Sequence, residues 1–195
     1  MKKHLLILIT SSLLLACNTK NNTSIPKKAN NDTKDTTANF FPVTSYLKGQ
    51  ILAIKNGGIT PIKKITIGEK TDPSWLKMED LETNFSEFLT PLIDSSNLKS
   101  SFTENKFLDE TLNAFTFSYD KKINTQSTFP FTHWDVYVDA ETNKVTRIYL
   151  QKNKDSLTTL QLTWQSGKWA KIVTIKTING NSTIEKEEKT AWSFN

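Results

Sequence analysis

The sequence predicts an α+β fold in which two N-terminal helices pack on a mainly antiparallel meander sheet. Two segments before residue 93 have apolar residues at three-four spacing, which is typical of helices with one buried face. From His133 to the end, apolar and polar residues alternate between short turns, as they do in antiparallel hairpins. Helices followed by such a sheet form a two-layer domain.

The first predicted helix begins near Thr44 or Ser45, either of which is a suitable N-cap. Its apolar residues are Tyr46, Leu47, Ile51 and Ile54. The run Asn56-Gly57-Gly58 ends it, because glycine takes the left-handed conformation that follows many helices. Residues 61–67 then alternate as a strand.

The second predicted helix covers residues 72–92. Asp72 is a suitable N-cap, Pro73 fits the first helical position, and Pro91 ends or kinks the helix. Its apolar stripe consists of Trp75, Met78, Leu81, Phe85, Phe88, Leu89 and Leu92. Such a stripe usually packs on the sheet of its own domain, although it could also dock a partner or a membrane surface.

Residues 102–119 allow two interpretations in their first half, where Leu108 and Leu112 also fit a short helix. Phe115, Phe117 and Tyr119 alternate, so the second half is predicted to be extended. Five strands are predicted after this segment. They are separated by turns near residues 141–144, 165–168 and 179–181 and by a break between residues 150 and 160.

The N-terminus has the features of an export signal. Lys2 and Lys3 precede a short apolar run, which ends at Ala16 and Cys17 and is too short for a stable membrane span. Residues 18–39 are polar and contain no aromatic residue, so they are predicted to form a flexible tether. The predicted organisation is a signal peptide at 1–16, a lipidated cysteine and tether at 17–39, and a single α+β domain at 40–195.

The run Leu14-Leu15-Ala16-Cys17 resembles the lipobox of bacterial lipoproteins. This resemblance implies that Cys17 is acylated and holds the chain on a membrane. Asn18 stands where some bacteria use aspartate for inner-membrane retention, so the resemblance implies the outer membrane, on its periplasmic side. Cys17 is the only cysteine, and it therefore has no disulfide partner within the chain.

The whole layout also resembles uncharacterised lipoproteins of the Bacteroidota type, from which no functional residue can be transferred. Residues 134–145 are similar to the hairpin of PepSY-type domains, which implies a small exported binding or inhibitory module. The anchor and the antiparallel sheet are also similar to the outer-membrane receptor of the lipoprotein-sorting pathway, a half-barrel that holds acyl chains. A lipid or lipoprotein carrier would need an apolar cavity of roughly 300 Å³ between sheet and helices.

Composition argues against nucleic-acid binding. The formal charge is +5, but Lys2 and Lys3 belong to the signal and four further lysines lie in the tether. The domain is therefore nearly neutral, and Arg147 is its only arginine, whereas nucleic-acid surfaces concentrate basic side chains. We expect the partners to be the membrane, through Cys17, and an unknown envelope protein or small-molecule ligand.

No metal or cofactor is expected. Outside the signal, the chain has one histidine and no cysteine apart from Cys17, which disfavours a zinc site. Residues 139–143 place oxygen atoms at alternate positions, but Lys144 stands where a calcium loop requires glycine. This segment is interpreted as a hairpin turn.

One enzyme hypothesis is kept as an alternative to a non-catalytic domain. His133 and Asp135 lie two residues apart on one predicted strand and would share a face. A hydrolase would also need a serine hydroxyl within about 3 Å of the His133 ring. No serine lies in a Gly-x-Ser-x-Gly elbow, so a binding domain without catalytic activity is the main prediction.

Four of the five tryptophans lie in the predicted C-terminal meander. Trp134, Trp164 and Trp169 are the predicted ligand-binding residues, because indole rings can stack on sugars, lipids or peptides. Packing across strands is the more common role of such residues. If a ligand binds, the corner formed by Gln165, Ser166, Lys168 and Trp169 is its predicted position.

Overall fold

The architecture is that of one sheet with nine antiparallel strands and a thin helical layer on one face. It is seen in a computed structural model that describes residues 40–94, 96–123 and 128–192. The strands are β1 (Ile62–Ile67), β2 (Lys70–Trp75), β3 (Phe102–Asp109), β4 (Ala114–Lys121), β5 (Phe131–Asp139), β6 (Val145–Asn153), β7 (Thr158–Gln165), β8 (Trp169–Ile178) and β9 (Asn181–Ala191). Their order is β2-β1-β9-β8-β7-β6-β5-β4-β3, so the β1–β2 hairpin joins the C-terminal strand.

The predicted fold class, two N-terminal helices packed on a meander sheet, is wrong. The chain is mostly sheet, and of the two predicted helices only the first exists, as α1 (Val43–Asn56). Residues 72–75 of the predicted second helix belong instead to β2, in which Trp75 is 70% exposed. A 3-10 turn (Met78–Asp80) and two short α-helices follow, α2 (Leu81–Asn84) and α3 (Ser86–Leu89), and the backbone is not helical at Phe85 between them.

The second predicted helix does not start at Asp72 because a tight turn before Pro73 places this segment in a β-hairpin. Gly68 has a φ of +58° in the two-residue loop between β1 and β2, and such loops favour glycine. The hairpin pairs Pro73 with Lys64 at the edge of the sheet, where proline is tolerated. The three-four spacing is genuine only from Leu81 to Phe88, and these side chains are buried.

Helix α1 begins beside the loop that follows α3. The Asp94 carboxylate accepts hydrogen bonds from the backbone N–H groups of Thr44 and Ser45, at 3.1 and 3.3 Å. The buried Thr44 hydroxyl in turn accepts the N–H of Ile93 at 2.8 Å. Asp94 therefore satisfies N–H groups of the first helical turn, a task that the sequence pattern assigned to Thr44 or Ser45.

The five strands predicted from His133 onward are present as β5 to β9, each paired with the next. Residues 102–109, which the sequence left open, are extended. Because strand side chains alternate between faces, the sheet has a core face under the helices and an opposite face, here called the outer face. The core face includes the buried residues Trp134, Leu150, Leu162, Trp164 and Ala170, which form one cluster with the helices.

The described residues from 40 to 192 lie in one compact unit. The predicted signal, lipidation site and tether, at residues 1–39, lie outside the described residues. Among the helices that are described, none has both the length and the apolar character needed to cross a membrane.

Candidate functional site on the outer sheet face

The predicted ligand-binding tryptophans lie on different faces of the sheet. Trp134 is 0% exposed and stacks on Tyr119, with ring centroids 4.9 Å apart. Trp164 is also 0% exposed and packs edge-on against Phe85 at 4.9 Å. In this structure both indoles belong to the core, where no ligand can reach them without opening the domain.

Trp169 has a different environment. It lies on the outer face, is partly exposed, and has the Lys189 ammonium 4.9 Å from its ring centroid. Its cross-strand neighbour is Gln165, which belongs to the predicted corner. Trp169 is thus the one predicted binding residue that the structure leaves accessible to a ligand.

The strand registers place Trp169 in a row that crosses the whole outer face. Its members, from β3 to β2, are Phe107, Thr116, Tyr137, Arg147, Gln165, Trp169, Ala191, Ile62 and Trp75. The Arg147 guanidinium lies 4.0 Å from the ring centroid of Tyr137. Tyr137 and Trp169 are therefore each in contact with a cationic side chain. This contact lowers the entropic cost of ordering the long basic side chain for binding.

A parallel row lies beside it and carries Asp135, Tyr149, Thr163, Lys171 and Lys189. Lys171 lies 3.5 Å from Glu187, while Lys189 is exposed beside the indole ring. Helices α1, α2 and α3 lie on the other face of the sheet. The middle of the outer face thus presents aromatic, hydroxyl and basic groups without a helical cover.

His133 and Asp135 do lie together on the outer face, as their spacing predicts. The His133 Nε2 atom is 3.0 Å from an Asp135 oxygen, and Nδ1 is 2.7 Å from an Asp120 oxygen. Ser118 donates a hydrogen bond to Asp135 at 2.5 Å, and the Tyr137 hydroxyl donates another at 3.2 Å.

This network is not arranged for nucleophilic catalysis. The hydrogen bond to Asp135, followed by the one to Asp120, raises the pKa of His133 to about 9, which keeps the imidazole protonated at neutral pH. A protonated imidazole with a carboxylate at each nitrogen cannot act as a general base for a serine. Ser118 is bonded to the carboxylate and not to the ring, so the geometry gives the hydrolase alternative no support.

The turn at Asp139 is held by its own side chain. The Asp139 Oδ1 atom accepts hydrogen bonds from the Thr142 N–H and hydroxyl, both at 2.7 Å. Asn143 follows with a φ of +56°, a conformation that asparagine tolerates. The described residues contain no group of three side chains placed to hold a metal ion.

Three of the hollows near the helices differ from the cavity that a lipid carrier needs, and a fourth, of about 520 Å³, is a cleft between α1 and the turns at residues 143–145 and 166–167. A hollow against Phe85, Phe88 and Ala170 encloses only about 10 Å³. A cleft of about 330 Å³ lies beside α2 and α3, but its lining includes Lys63, Asp80, Glu87 and Glu188. A third hollow, of about 380 Å³, is lined by helix residues alone. None of the three is an apolar space between the two layers.

Sequence reasoning missed most of the outer-face residues, including Tyr137, Arg147, Tyr149 and Lys189. A signal was present, because they occupy the positions next to the buried residues Val136, Ile148, Leu150 and Thr190 on their strands. The sequence does not reveal which residues of neighbouring strands stand opposite each other, since this depends on register.

Comparisons with protein-family models, with curated proteins and with solved structures found no match to this chain.

Proposed function

We propose that the chain is a lipoprotein of the cell envelope, held on the membrane through acylated Cys17, whose domain binds an acidic polysaccharide on the outer face of its sheet. The N-terminal sequence supports the anchor, since the apolar run ends at the chain's only cysteine. The uncovered row that contains Tyr137, Arg147 and Trp169 is the observation that carries the binding proposal.

A polysaccharide fits this surface better than a small apolar ligand does. Sugar rings present flat C–H faces that stack on aromatic rings, and Trp169, Tyr149 and Trp75 supply such rings on a broad open face. Gln151, Gln161 and Thr163 add groups that both donate and accept hydrogen bonds, as sugar hydroxyls require.

The acidic character of the ligand follows from the cations beside these rings. Arg147 lies against Tyr137 and Lys189 lies against Trp169, so each cation can meet a carboxylate of a sugar stacked nearby. Lys171 and Lys64 flank Lys189 in the same row, and Lys171 is already paired with Glu187. At the other end of the same row, the Asp135 carboxylate is already paired with His133 and accepts hydrogen bonds from Ser118 and Tyr137.

The binding proposal is tested by affinity measurements on the full chain with polygalacturonate as the acidic probe and dextran as the neutral one. Lys189→Glu and Trp169→Ala should each weaken polygalacturonate binding about ten-fold, and added salt should weaken it further. Lys48→Glu is the matched control. It makes the same charge change at an exposed position of α1, which lies in the other layer of the domain.

The proposal predicts that the Lys48 variant binds like the unsubstituted chain and that dextran binds poorly. If Lys189→Glu and Trp169→Ala leave binding unchanged, the outer face is not the binding surface. If dextran binds as tightly as polygalacturonate, the acidic character of the ligand is wrong.

A further inference from the structure

The two edges of the sheet differ in how well they are protected against further strand pairing. At the β2 edge, Pro73 removes a hydrogen-bond donor, which discourages pairing. The β3 edge has eight residues and no proline, and no described strand pairs with its far side. Such an edge is a template for another strand.

Exposed apolar side chains gather at the same edge. Phe107 and Leu108 of β3 are 51% and 49% exposed, and Leu112 in the following turn is 50% exposed. Phe115, opposite Leu108 on β4, is 43% exposed. A partner at this edge would cover apolar surface in addition to pairing its backbone.

The direction of the free backbone groups follows from the pairing with β4. The Lys122 N–H donates to the Ser101 carbonyl at 2.9 Å, so residue 101 bonds toward β4. In an antiparallel ladder, the N–H and C=O groups of successive residues point alternately toward the neighbouring strand and away from it. The open edge therefore receives the N–H and C=O groups of Phe102, Glu104, Lys106 and Leu108.

We propose that the β3 edge pairs antiparallel with the β3 edge of a second copy of this chain, with Asn105 of both copies at the two-fold axis. In this register Glu104, which lies 3.5 Å from Lys106 of its own copy and accepts a hydrogen bond from the Tyr119 hydroxyl, also stands opposite the partner's Lys106. Lys106 likewise stands opposite the partner's Glu104. Opposite charges directly across a strand pair are stabilising. Leu108, which is 49% exposed, stands opposite the partner's Phe102, whose side chain is buried in the core of its own copy.

The charges of Glu104 and Lys106 favour this register of strand pairing over the two neighbouring registers. Only shifts by two residues keep the free backbone groups matched. A shift in one direction places Lys106 opposite the partner's Lys106, and a shift in the other places Glu104 opposite the partner's Glu104. Like charges directly opposite are destabilising, so both shifts are disfavoured.

Cysteine cross-linking of the full chain in cells tests the proposal. Asn105 is exposed, and at the axis its Cα would lie about 4.5 Å from that of the partner's Asn105, within the range of a disulfide. Asn105→Cys should therefore yield a disulfide-linked dimer on non-reducing gels. In Thr103→Cys the two cysteines would lie about 13 Å apart and should not cross-link. The unsubstituted chain shows any background that comes from Cys17.

A charge exchange tests the pairing itself. Adding Lys106→Glu to Asn105→Cys should reduce the dimer about five-fold, because two pairs of like charges then face each other. Adding Glu104→Lys to that variant should restore the dimer. Equal cross-linking at Thr103 and Asn105, or none at Asn105, would overturn the proposal, as would a dimer indifferent to Lys106→Glu. None of these outcomes depends on polysaccharide binding.

Discussion

The protonated His133 is expected to make the stability of the domain depend on pH. Its pKa is raised to about 9 by the hydrogen bonds to Asp135 and Asp120, from an ordinary value of 6.5. A raised histidine pKa means that the folded chain binds the proton more tightly than the unfolded chain. The contribution to stability is therefore complete below about pH 6.5 and is lost as pH rises through about 9.

The size of this contribution follows from the difference between the two pKa values. It amounts to about 3 kcal/mol below pH 6, about 2 kcal/mol at pH 7.5 and less than about 0.5 kcal/mol at pH 9. These are upper values, because the Asp120 side chain is 55% exposed and water screens its share.

The assay is urea unfolding of the full chain and of the His133→Gln variant at about pH 6, 7.5 and 9, with tryptophan fluorescence as the signal that monitors unfolding. The difference in unfolding free energy between the two proteins should be greatest at pH 6 and should shrink at each higher pH. Comparison with the variant removes the titration of other groups. A difference that stays constant or grows with pH would refute the assignment of a protonated His133 held between two carboxylates.

Three further predictions concern the anchor and the core. Cys17→Ala should release the chain from the membrane fraction or leave it unprocessed, and normal membrane fractionation of this variant would refute lipidation. Trp164→Ala should lower the free energy of unfolding by about 3–5 kcal/mol, measured by urea titration, because it removes an indole packed between Phe85 and Trp192. A loss below about 1 kcal/mol would contradict its place in the core. Thr44→Val should cost about 1–3 kcal/mol in the same titration, since the buried Ile93 N–H loses its acceptor, and a neutral effect would show that this hydrogen bond is absent.

The sequence predicts the elements whose signals are local and strong. Helix α1 has three-four spacing and ends at Asn56, before two glycines, and strands β5 to β9 have clean alternation between turns. The second helix fails because the three-four spacing of Trp75, Met78 and Leu81 continues across a boundary between a strand and a helical turn. A tertiary pairing, that of Pro73 with Lys64, overrides the local pattern.

The candidate site is only partly predictable for a related reason. His133 and Asp135 share a strand, so their contact follows from spacing alone. Asp120 joins them because it stands opposite His133 on β4, and no property of residue 120 in the sequence indicates this. Likewise, Arg147 meets Tyr137, and Lys189 comes within reach of Trp169, only through the registers of neighbouring strands.

The five tryptophans allow the binding face to be tested in one measurement. Trp134, Trp164 and Trp192 are at most 4% exposed, whereas Trp75 and Trp169 lie on the outer face. Acrylamide quenching of the full chain should therefore reach the emission of the two outer-face indoles. Saturating polygalacturonate should protect that fraction, while dextran should not. Quenching that is the same with and without polygalacturonate, although the polysaccharide is bound, would place the binding surface elsewhere on the domain.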